Sequence, residues 1–174
     1  MTFGLVTWLF VAAVAAHNAE EAIWLPTWSK TASKWHPPVT AIEFRFATAV
    51  LTLLAILAGA LAGRGSESAG AYLVAGYALA MLLNVLFPHL LATLALRRYM
   101  PGTATAVLLT MPASAALLWK ASAGGYIDAQ RFLWTGPATV LGIALSIPLL
   151  FWLGRRLLQE RQSLSAIDRI KSGL

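Results

Sequence analysis

The chain contains no cysteine and very little charge. With no Cys among 174 residues, disulfides and thiolate metal sites are both excluded, so any metal must be held by His, carboxylate, amide or water ligands. Charged residues make up 11% of the chain, against about 25% in soluble domains. What fills the space is apolar: 59% of residues are hydrophobic and the mean hydropathy is +0.70. That composition belongs to an integral membrane protein. The net charge of +6 fits basic groups flanking membrane spans, and no nucleic-acid partner is expected.

Apolar runs of membrane-spanning length, about 17 to 25 residues, fall at Phe3 to Leu25, Ala41 to Ala62, Ala71 to Leu96, Thr103 to Ala121 and Leu133 to Leu153. The connections carry turn residues: Pro26, Pro37 and Pro38, then Gly63, Gly65 and Gly70, then Pro101 and Gly102, then Gly124 and Gly125. The expected fold is all-α, a polytopic bundle of five transmembrane helices over residues 1–153. The remaining residues, 154–174, space Leu157, Leu164, Ile167 and Leu174 along one helical face and are expected to form an amphipathic tail at the membrane surface. Val11 to Ala16 resembles the small-residue end of a secretory signal, but no Lys or Arg precedes the apolar run, so a retained first helix is expected.

Orientation follows from the basic residues. With five spans, Lys30, Lys34, Arg97, Arg98, Arg155, Arg156, Arg161, Arg169 and Lys171 share one side, whereas Arg64, Lys120 and Arg131 share the other. The excess side is expected to be cytoplasmic, which places the N-terminus outside and the tail inside. Trp8, Trp24, Trp119, Trp134 and Trp152 fall near span ends, where aromatic belts form.

Against this background the ionisable residues inside spans carry information, since each costs roughly 2.5 to 3.5 kcal/mol at a helix centre on insertion scales. His17, Glu20 and Glu21 lie in the first span and His89 in the third. Counted from the expected cytoplasmic ends, both histidines sit about 10 to 12 Å deep at 1.5 Å per residue. Glu20 and Glu21 flank the line below His17, three and four residues on, so the three side chains can converge on one cation or water. Glu43 and Arg45 open the second span, and Asn84 lies more than a turn deeper than His89. Pro88 removes the N–H that would bond the carbonyl of Asn84, which predicts a kink between Asn84 and His89.

These residues also carry a resemblance. His17-x-x-Glu20-Glu21, Asn84-x-x-x-x-His89 and Tyr99-x-Pro101-Gly102 match in order the three motifs of the HXXEE-domain family of bacterial membrane proteins, over residues 5 to 120. The resemblance implies four or five membrane helices, a bacterial inner-membrane location and an enzyme-like site, with no substrate or reaction attached.

The leading expectation is a membrane-embedded enzyme carrying out metal-assisted hydrolysis of a lipid or other apolar substrate at the cytoplasmic leaflet. The expected ligands are His17, His89 and carboxylates from Glu20, Glu21 and Glu43, holding Zn²⁺ first, with Fe or Mn as further candidates. The catalytic candidates are Glu20, Glu21, Asn84 and His89, one free glutamate as base and Asn84 as oxyanion donor. A metal-free pair of glutamates, acting as a protease or on an isoprenoid, is the alternative within enzymes. A proton- or cation-coupled carrier is the alternative outside them. Structural readings compete for single residues: pairing of the first-span acids with Arg45, interhelical glue for Asn84 and His89, and an interfacial anchor and turn for Tyr99, Pro101 and Gly102.

Overall fold

The computed structural model describes residues 1–32 and 38–171, with side chains described at 159 but not at 158 or 160–171. Lys34 and Pro37 lie outside the described residues, as does Leu174, and so do the side chains of Leu164 and Ile167. Five helices are long and apolar enough to cross a membrane: α1 (Phe3–Thr31), α2 (Ala41–Ala62), α3 (Ala69–Leu96), α4 (Thr103–Ala123) and α5, whose apolar part is Ala129–Leu157. No strand occurs among the described residues.

Four of the five helix starts have a local chemical cause. Thr2 and Ser68 accept backbone N–H groups at the starts of α1 and α3. A capping box starts α2: Thr40 Oγ1 accepts the Glu43 N–H and the Glu43 carboxylate accepts the Thr40 N–H. Asp128 accepts the Arg131 N–H at 2.9 Å and starts α5 four residues before the expected Leu133.

Two helices depart from the expected outline. Instead of ending at Leu25, α1 runs through Pro26 to Thr31. Proline cannot bond the carbonyl four residues back, and the orphaned Ala22 carbonyl instead accepts Arg45 Nε at 3.2 Å from α2. Arg45 therefore serves a backbone carbonyl; the structure gives it no ion pair with Glu20 or Glu21. Beyond Gly154, α5 continues unbroken to Lys171, so the expected tail extends the fifth helix without a turn.

In α3 the kink anticipated at Pro88 is present. Phe87 leaves helical geometry at φ −140° and ψ 113°, ahead of a cis Phe87–Pro88 bond. The helix is interrupted at Phe87, and the chain on either side of the break is helical.

Helices α1 to α4 form a ring of neighbours, with α5 laid against α2 and α3. Small residues let the backbones approach, as is usual where lipid supplies no hydrophobic drive between helices. Ala55, Ala58, Ala71, Ala75 and Ala78 are buried around Phe10, Val14, Val74 and Leu117. Asn18 adds a polar tie between α1 and α2, donating to Thr52 Oγ1 at 2.8 Å. Gly76 lies tight against α5: a Cβ there would meet the Thr139 Cβ at 2.5 Å. Because α1 and α3 stand across the ring from each other, inward-facing groups on these two helices meet inside it.

Candidate metal centre

Four of the residues singled out above come together across the ring. His17 and His89 are fully buried, their rings edge to face with centroids 4.9 Å apart. Glu21 lies between them, with Oε2 3.7 Å from His17 Nε2 and Oε1 3.2 Å from His89 Nε2. One ligand atom from each of His17, Glu21 and His89 falls within 4.8 Å of the others. Asn84 closes the group, its amide nitrogen 3.2 Å from His17 Nε2.

The tautomer of His17 follows from its partners. Nδ1 lies 3.2 Å from the Gly102 carbonyl, which only accepts, so Nδ1 carries the proton and donates. Nε2 is then an acceptor whose lone pair takes an N–H of the Asn84 amide and would be given up to an ion on ligation. A metal-binding histidine is oriented in this way, one nitrogen donating to a backbone carbonyl and the other free to ligate. His89 differs: among the described residues neither of its ring nitrogens has a hydrogen bond, while Nε2 lies 3.2 Å from Glu21 Oε1. A buried imidazole without a hydrogen bond is costly unless something else engages it.

Glu20 is turned elsewhere. One residue along a helix is about 100° around the axis, and this rotation carries Glu20 to the start of α4 while Glu21 faces α3. Its Oε1 accepts the Gly102 N–H at 3.0 Å and the Tyr99 hydroxyl. Its Oε2 accepts the Thr105 N–H at 3.2 Å and the Thr105 hydroxyl at 2.6 Å. Four donors thus occupy both oxygens. Tyr99 lies outside the spans; burial, reinforced by the bond to Glu20, raises its phenol pKa and keeps it a donor. Glu43 does not join the histidines either, since its carboxylate is engaged in the α2 capping box. Among the described residues the metal-competent group is His17, Glu21 and His89.

Two residues near the start of α4, Gly102 and Thr105, complete the site. Gly102, with φ +94°, presses its backbone onto the cluster: a Cβ there would lie 2.6 Å from His89 Cε1, 2.9 Å from Glu21 Cγ and 3.0 Å from His17 Cε1. Thr105 connects the acids and the imidazole, its hydroxyl donating to Glu20 and lying 3.2 Å from His17 Nδ1. Gly102 therefore forms one wall of the site, and Tyr99 braces Glu20 beside it, a larger part than the interfacial anchor and turn expected from the sequence. A cavity of about 240 Å³ leads away from His17, Glu21 and Asn84 between α3 and α5.

Fold and site together define an all-helical protein with five membrane-length helices and a buried His–Glu–His group closed off by a glycine turn. The family described as "Protein of unknown function with HXXEE motif" matches residues 8–117. The chain belongs to this HXXEE family. It is similar to the uncharacterized protein YrkK of Bacillus subtilis (strain 168), 39% identical over 149 residues that cover 83% of this chain and 92% of that protein. No solved structure matches it.

Proposed function

We propose that His17, Glu21 and His89 bind one divalent metal ion, Zn²⁺ in the first instance, and that the protein is a membrane-embedded hydrolase acting on a lipid or other apolar substrate. The observation that carries this reading is the buried His89, whose nitrogens make no hydrogen bond among the described residues while its ring stands against one carboxylate and a second imidazole. Ligands about 2.1 Å from a tetrahedral zinc lie about 3.4 Å apart; Glu21 Oε1 is 3.2 Å from His89 Nε2, and one ligand atom from each of the three residues lies within 4.8 Å of the others. Three protein ligands are also the number in catalytic zinc sites, which keep a further position for water.

When bound, such an ion supplies a Lewis acid and an ionised water at neutral pH. The chain's own residues supply the rest. Glu21 presents one oxygen toward each imidazole, so one can ligate while the other accepts a proton from water. The Asn84 amide, beside His17 and lining the cavity, is placed to donate to an oxygen that gains charge during attack. Glu20 acts as a positioning residue: it fixes Gly102, and Gly102 fixes the His17 ring. A paired-carboxylate mechanism has less support, because all the acceptor capacity seen on Glu20 is directed at Tyr99, Gly102 and Thr105. With the N-terminus outside, as the basic residues favour, the site opens toward the cytoplasmic leaflet of the bacterial inner membrane.

Elemental analysis of detergent-purified protein tests the reading. About one divalent ion per chain is expected in the wild type and in Glu43→Gln, falling to background in His17→Ala, Glu21→Gln and His89→Ala, as loss of one ligand from a three-ligand site predicts. A folded His89→Ala protein that keeps its metal contradicts the assignment.

A further inference from the structure

The cavity beside the metal centre has two chemically distinct ends. At one end stand His17, Glu21 and Asn84; the rest of its wall is built largely from apolar side chains of α3 and α5, with Tyr77 at its far end. The Tyr77 hydroxyl is itself satisfied, donating to the Leu51 carbonyl at 2.9 Å, so that end offers little to a polar ligand.

Helices α3 and α5 frame the cavity like two rails that are pinned at one point. They touch closely at Gly76 and Thr139, where no side chain beyond hydrogen would fit. Further along both helices, at Asn84 and Phe87 on one and Ala144 and Ile147 on the other, they bound the cavity. There α3 leaves helical geometry at Phe87, and Phe87 is 68% exposed with Leu83 at 46%. These rim side chains belong to spans, so their exposure is toward the bilayer core. Phe87 and Leu83, at the break in α3, thus stand at the edge of the cavity that faces lipid.

We propose that this cavity receives the hydrocarbon chain of a single-chain amphiphile, which enters laterally past Phe87 and presents its polar end to Glu21, His17 and Asn84. The inference rests on the proposed metal centre for the chemistry at that end and names the substrate class the centre serves. Volume limits what can enter: about 240 Å³ is below the roughly 300 to 1,000 Å³ of ordinary small-molecule pockets, so the cavity takes part of one hydrocarbon chain, the remainder lying in the bilayer, and has no room for a second chain. Orientation agrees, because the polar end of the cavity lies nearer the membrane surface than Tyr77, as a lipid in the same leaflet would require.

The test uses the full chain in nanodiscs and two nitroxide probes, stearic acid labelled on its chain and phosphatidylcholine labelled on one of two chains. Electron paramagnetic resonance is expected to show a motionally restricted stearic acid component saturating at about one per chain, with affinity lowered about tenfold in Ala144→Trp, the effect of filling a pocket that has little slack. Ala80→Phe narrows the cavity from α3 and is expected to act in the same direction. The proposal is overturned if both variants, folded by circular dichroism, restrict the probe as the wild type does, or if phosphatidylcholine is restricted equally. Metal content on the same samples separates the two readings. Restricted stearic acid in protein that never holds metal supports the cavity assignment and contradicts the metal centre; full metal without a restricted component overturns the cavity assignment alone.

Discussion

Gly102→Ala is expected to abolish metal binding and to lower stability by about 3 kcal/mol or more, through two costs that add at one atom. The backbone at φ +94° disfavours any Cβ, and the new methyl would sit 2.6 to 3.0 Å from the His89 ring, the Glu21 side chain and the His17 ring. None of the three can retreat freely, because the two rings are fully buried and Glu21 lies between them. Gly125→Ala provides the control: its φ is +67° and nothing lies within 4 Å of its added Cβ. It is expected to cost only the backbone penalty of about 1 to 2 kcal/mol and to leave the metal in place. Thermal unfolding and metal content of the two variants, measured side by side, check the difference. Equal losses would mean that the glycine turn does not bear on the site.

The second large effect is expected at Glu20. Glu20→Ala strands the Gly102 and Thr105 N–H groups and the Tyr99 and Thr105 hydroxyls, which all donate to it. Unsatisfied buried donors cost about 1 to 3 kcal/mol each; these lie partly in reach of solvent, so a total of about 2 to 4 kcal/mol is expected. Glu20→Gln keeps a carbonyl oxygen and should fall between wild type and Ala. The distinguishing readout is metal stoichiometry in folded Glu20→Gln protein, where about one ion per chain is expected because the three-ligand set is untouched. Loss of metal there, with the unfolding midpoint preserved, would make Glu20 a ligand.

What could be read in advance depended on the range of the interaction. The five helices were legible because a membrane span is set by the length of an apolar run, a property of adjacent residues. The kink at Phe87 was legible for a similar reason, as the missing N–H of Pro88 acts on the preceding turn. The extension of α1 through Pro26 was not, since the group that satisfies Ala22 is Arg45, on another helix. Glu43 has a local explanation in Thr40 three residues before it, the signature of a capping box at the start of α2. Glu20 and Glu21 were grouped because both lie near His17 along the helix; the 100° step between neighbours sends them to different partners. The roles of Gly102 and Thr105 appear only when the start of α4 folds back over α1, a closure across more than eighty residues.

The most direct measurement of the central claim is an anomalous-scattering map at the zinc edge from crystals of protein purified without chelators. The predicted result is a single peak about 2.0 to 2.2 Å from His17 Nε2, His89 Nε2 and a Glu21 carboxylate oxygen, on the side of Glu21 away from Glu20. A peak bonded to Glu20 or Glu43 instead, or ordered water hydrogen-bonded to both imidazoles with no anomalous signal, would contradict it.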